Sequence, residues 1–70
     1  MTNREFIIKK LNQGKTLWRH CKTCCVSYSK CNNGVWQVYH YDGAEFDKCQ
    51  TIPMQTAINQ LLRNFKNITL

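Results

Sequence analysis

Seventy residues hold enough chain for one domain, 1–70, and a domain of that size buries only about 60% of its unfolded surface, which argues against a deep catalytic cleft. Ten lysines and arginines face four acids, and the excess is local: Arg4, Lys9, Lys10, Lys15, Arg19, Lys22 and Lys30 precede Asp42 against Glu5 alone, whereas Asp42, Glu45 and Asp47 balance Lys48, Arg63 and Lys66. No apolar run approaches the roughly 20 residues that span a bilayer, and the start of the chain lacks the apolar stretch of a secretory signal, so a cytoplasmic protein without a membrane partner is expected.

Thr2 followed three residues later by Glu5 has the spacing of a capping box, and Gly14 sits where a left-handed cap ends a helix. Between them Phe6, Ile7, Ile8 and Leu11 form one apolar face, which predicts a helix from Asn3 to Gln13. Its other face carries Arg4, Lys9 and Lys10.

From Thr16 to Lys30 the residues are β-branched, aromatic or small and polar, and this run reads as one strand. Asn33-Gly34 is a hairpin signal, because both central residues of a type I′ turn need positive φ. A second strand, Val35 to Tyr41, leads into a similar Asp42-Gly43 turn, and a third runs from Ala44 to Gln50. Two-residue loops at both turns would set Tyr28 opposite Tyr39, Val26 opposite Tyr41, Tyr39 opposite Phe46 and Tyr41 opposite Ala44. One face then collects these apolar residues with Cys24 and Trp18, while Ser27, Ser29, Cys31, Trp36, Val38, His40, Glu45, Asp47 and Cys49 look outward.

Thr51 is positioned to cap a last helix with Pro53 in its first turn. Met54, Ala57, Ile58, Leu61, Leu62 and Phe65 recur at steps of three and four, a stripe suited to covering the sheet. The expected fold is α+β: an αβββα two-layer sandwich with a three-stranded antiparallel sheet and both helices on one face.

Five cysteines in so short a chain raise the question of a disulfide framework, but the odd count and the lack of an export signal point to reduced thiols. Cys21-Lys22-Thr23-Cys24 has the spacing of a zinc half-site, with Cys25, Cys31, Cys49, His20 and His40 as further candidate ligands. On one continuous strand, however, Cys21 and Cys24 would point to opposite faces. The expected row of His40 with Glu45 and Ser27 sets histidine, carboxylate and hydroxyl together, yet an open sheet face offers no pocket and no oxyanion donors, so no enzyme is expected.

Binding has more support. Arg4, Lys9, Lys10, Lys15, Arg19 and Lys22 would form a basic surface able to track phosphates. On the outward face Trp36, Val38 and His40 form a second candidate surface, where an exposed tryptophan serves as a hot-spot anchor or a stacking platform.

The expected element order resembles the double-stranded-RNA-binding domain, an αβββα module of about this length. The resemblance is one of topology: that family's second helix begins with a lysine cluster, whereas this one begins Ile52-Pro53-Met54-Gln55, and its loop between the first two strands is longer than Asn33-Gly34. In size, lysine and asparagine content and compact plan, the chain also resembles the small proteins that phages encode to disable host machinery, anti-CRISPR proteins among them. That resemblance implies a non-enzymatic inhibitor that docks on a host nucleoprotein complex and blocks it by occupancy. A module that binds nucleic acid directly and a small zinc-binding protein are the alternatives, and the oligomeric state is left open.

Overall fold

The computed structural model describes residues 2–41 and 48–70. The first helix, α1 (Asn3–Asn12), begins as its sequence dictates: the Thr2 hydroxyl accepts the Glu5 amide at 3.1 Å. It ends in a Schellman arrangement, with Gly14 at φ 79° and the amides of Lys15 and Gly14 donating to the carbonyls of Lys10 and Leu11 at 3.0 and 3.1 Å. Lys9 and Lys10 in the last turn complement the helix dipole, and Ile7 and Leu11 are fully buried.

Among the described residues the sheet has five antiparallel strands rather than the three expected. In chain order they are β1 (Leu17–His20), β2 (Cys24–Cys31), β3 (Gly34–Tyr41), β4 (Lys48–Ile52) and β5 (Ile68–Thr69), and across the sheet they run β4-β3-β2-β1-β5. Two corrections account for the difference. The run read as one strand is a hairpin, β1 and β2, turning at Lys22-Thr23 and closed by the Cys21 amide donating to the Cys24 carbonyl at 3.0 Å. In addition, the last residues return after a 3-10 turn (Phe65–Asn67) to add β5 along the free edge of β1.

The hairpin reverses the expected facing of β1. Leu17 lies opposite Tyr28 and Arg19 opposite Val26, so both take the inner face, whereas Trp18, opposite Ser27, takes the outer one. The β2–β3 turn is Asn32-Asn33, closed by Cys31 opposite Gly34, and neither asparagine has positive φ, so it is not the type I′ turn expected. Tyr28 consequently faces Gln37 and Val26 faces Tyr39, two residues away from the expected register. A slip of two leaves every side chain of β2 and β3 on its expected face. The Asp42-Gly43 turn, the pairings of Ala44 and Phe46 and the start of the expected third strand lie outside the described residues. Thr51 belongs to β4, opposite Trp36, and Pro53 itself stands at the start of the second helix, α2 (Met54–Arg63), without a side-chain cap.

Both helices pack on the inner face, where Ile7 and Leu11 from α1 and Ala57, Ile58 and Leu61 from α2 meet Leu17, Val26, Tyr28, Val35 and Ile52. In the middle of this apolar layer sits Gln37, fully buried. Its side-chain nitrogen donates to the Tyr28 hydroxyl at 3.1 Å and to Gln60 Oε1 at 2.6 Å, and its oxygen accepts from Gln50 at 2.8 Å. The Tyr28 hydroxyl completes the ring by donating to Gln60 Oε1 at 2.8 Å. Among the described residues no buried side-chain nitrogen or oxygen lacks a partner.

Burial pushes the Tyr28 phenol above its ordinary pKa of 10.0, against the opposing pull of the Gln37 hydrogen bond and the Arg19 charge. The neutral phenol is the form that the fold favours, so its contribution is fully present below the unfolded pKa and is lost as pH rises through the folded one. Stability should therefore fall above about pH 10, and Tyr28→Phe should flatten that fall in urea titrations run across pH.

Gly34 stands at φ 140°, and a Cβ there would collide with the Ile52 carbonyl oxygen of the neighbouring strand. Both Gly14→Ala and Gly34→Ala should bear about 1–3 kcal/mol of positive-φ strain in the same urea assay, and Gly34→Ala should lose measurably more because of its collision with the Ile52 carbonyl, whereas a Cβ at Gly14 meets nothing within 4 Å. Equal losses at the two glycines would contradict the role given to the Ile52 contact.

Candidate functional site

No described helix covers the outer face of the sheet. Its rows follow from the register: Thr69, Trp18, Ser27, Val38 and Cys49 lie in one line across all five strands, with Ser29, Trp36 and Thr51 in the next. On the other side of the first line come His20, Cys25 and His40. The surface is neutral and mixed, with hydroxyls and thiols set between two tryptophans and a valine. Trp36 is the most open of the large residues here, 43% exposed.

Trp36, Val38 and His40 thus share a face, as the sequence indicated, but their neighbours differ. Trp36 is flanked by Ser29 and Thr51, where two-residue loops at Asn33-Gly34 and Asp42-Gly43 would have set Cys31 and Cys49 beside it; Cys31 lies opposite Gly34, and Cys49 opposite Val38. The carboxy-terminal residues do not overlie it, because β5 sits at the far side of β1 with β2 between that strand and β3. His40 lies opposite Cys25, its Nε2 is 3.3 Å from the Ser27 hydroxyl, and its ring packs 5.2 Å from that of Trp18. Glu45, the expected carboxylate of that row, lies outside the described residues.

Sequence reasoning placed Cys25 on this face but missed Trp18 and His20 as parts of it. His20 Nε2 lies 2.7 Å from the Thr69 hydroxyl, while Nδ1 lies 3.5 Å from the Cys25 sulfur, so β5 fixes the ring and the ring fixes the thiol. The signal that would have found them is the hairpin turn, since it alone decides which alternate residues of β1 look outward.

The basic residues of the expected surface lie on α1, the loop after it, β1 and the hairpin tip. Arg4 donates to Gln55 of α2 at 3.1 Å, Lys10 lies 5.5 Å from the centre of the Phe6 ring, and Lys9 and Lys15 are exposed. Arg19 is half-buried on the inner face, and Lys22 is at the tip of the β1–β2 hairpin. Lys15 and Lys22 flank opposite ends of β1, roughly 20 Å apart at the rise of a strand. Lys30 is also engaged, donating to Asn12 at 2.8 Å.

Cys21 and Cys24 do not point apart. They close the hairpin as facing residues with Cα atoms 5.4 Å apart and form a disulfide, which overturns the expectation of free thiols at these positions. Cys25, Cys31 and Cys49 remain free. A zinc half-site needs both sulfurs as thiolates, and here they are bonded to each other. Among the described residues no three histidine, cysteine or acidic side chains gather around one point that could hold an ion. No described helix is long and apolar enough to cross a membrane.

Comparison with protein-family models, with curated proteins and with solved structures returned no match.

A disulfide across so short a loop restricts the unfolded chain only modestly, by about 2 kcal/mol in the loop-entropy model. Replacing Cys21 and Cys24 together by serine should lower the unfolding free energy by about that amount and leave the circular dichroism spectrum of the folded protein unchanged. Loss of the folded spectrum would show that the hairpin depends on its bridge.

Proposed function

We propose that this chain is a small non-enzymatic binding protein that docks through the outer face of its sheet on a protein of a host nucleic-acid-handling complex and blocks that complex by occupancy. The observation that carries the reading is Trp36, 43% exposed on β3, the strand next to the β4 edge, on a sheet face that no described helix covers. A flat face with a protruding aromatic, a half-buried valine beside it and a rim of hydroxyls has the make-up of a protein interface. The residues beside Trp36 are neutral, which suits a protein surface better than a phosphate backbone.

The net charge of +6 adds rate more than affinity: a positive protein is drawn to an acidic or nucleic-acid-bearing assembly from a distance. Direct nucleic-acid binding is a second reading, favoured by the exposure of Lys9 and Lys15 on the helical side. It would use a different surface, so the two readings separate by mutation.

In a pull-down from host lysate, Trp36→Ala should abolish capture of the partner, and Lys9→Glu with Lys10→Glu should slow association while leaving the complex intact. Nuclease treatment should not release the partner. Capture that survives Trp36→Ala, vanishes with the lysine pair and weakens by roughly one power of salt concentration per phosphate neutralised would replace this reading by the nucleic-acid one.

A further inference from the structure

The Cys21–Cys24 bridge has a position that structural stapling does not require. The β1–β2 hairpin is held without it by four facing pairs from Leu17–Tyr28 to His20–Cys25 and by the Cys21 amide on the Cys24 carbonyl. Beyond the hairpin, β2 pairs along its whole length with β3. Opening the bridge therefore breaks no strand pairing.

The two sulfurs are also unequal. Cys21 is exposed at the hairpin end, whereas Cys24 is half-buried and packs against the core. Arg19, His20 and Lys22 surround the pair in sequence, and no acid occurs from residue 15 to residue 31. Positive charge near a sulfur stabilises the thiolate, which is both the attacking and the leaving species in exchange. Cys25 is kept out of this chemistry, since it faces outward beside His20 while Cys24 faces inward.

We propose that Cys21 and Cys24 form a thiol–disulfide exchange site for a dithiol, with Cys21 as the sulfur that meets the partner and Cys24 as the one that resolves. A thiolate of the dithiol attacks Cys21 Sγ, a mixed disulfide forms there, and Cys24 leaves as a thiolate that takes up a proton. The second thiol of the reductant then attacks its own sulfur in the mixed disulfide and expels Cys21. The balance is one protein disulfide and one dithiol giving a protein dithiol and one disulfide, with two electrons transferred. In the other direction the reduced pair takes the same route backwards.

The test equilibrates the protein with mixtures of reduced and oxidised dithiothreitol in native buffer, then alkylates it and reads mass and circular dichroism. A background with Cys25, Cys31 and Cys49 replaced by serine isolates the pair; the unsubstituted protein with peptide mapping of the alkylated cysteines serves if that background does not fold. The expected result is one reversible transition in which both cysteines gain an alkyl group together while the folded spectrum persists. With glutathione disulfide, Cys24→Ser should accumulate a mixed disulfide at Cys21 faster than Cys21→Ser accumulates one at Cys24. A bridge that opens only in denaturant, a reduced pair that does not re-close in oxidised dithiothreitol, or faster adduct formation at Cys24 would each overturn the proposal.

Discussion

The buried amide of Gln37 decides the shape of this protein. An apolar core of this size offers little to distinguish one placement of a short helix from another, since stripes of Leu, Ile and Ala tolerate rotation and sliding. A fully buried glutamine does not, because any shift that separates it from Tyr28, Gln60 and Gln50 strands several polar groups in an apolar layer at about 1–3 kcal/mol each. Gln60 comes from α2, Tyr28 from the centre of the sheet and Gln50 from its edge strand, so one side chain fixes the helix over β2, β3 and β4 together. With α2 held there and α1 packed beside it, the helices cover one face and leave the other to whatever the protein meets.

That division sorts the remaining features. Charge gathers at α1, the loop after it and the hairpin tip, while the outer face is neutral and aromatic. A protein so arranged can be steered by one surface and bind by another, which is why the occupancy reading rests on Trp36 and assigns the lysines a role in encounter.

Much of this was legible in the sequence, and the failures have definite causes. The caps of α1 depend on local spacing and form where it set them; the apolar stripe of α2 also begins at Met54, but Thr51, expected as its cap, lies in β4 and Phe65 falls in the 3-10 turn. The faces of β2 and β3 survived a register slip because the slip was an even number of residues. What failed was the first hairpin: Lys22-Thr23 carries no glycine, proline or asparagine, and the surrounding residues all favour strand, so the turn left no compositional mark. Missing it placed Trp18 inside and Arg19 outside, the reverse of the structure, and hid the disulfide, since residues three apart can face each other only across a turn. β5 is two residues long and exists through its pairing with β1, so no local pattern could announce it. Gln60 reads as one of several surface amides until the buried glutamine beneath it is known.

The central claim is that the outer face of the sheet, and not the helical side, meets the partner. Site-specific photo-crosslinking from host lysate tests it directly, with the reactive side chain placed at Thr51, beside Trp36, or at Lys9 on α1. A crosslinked partner from position 51 and none from position 9 is the predicted result. A partner captured from position 9 alone would contradict it and place the interface on the helices.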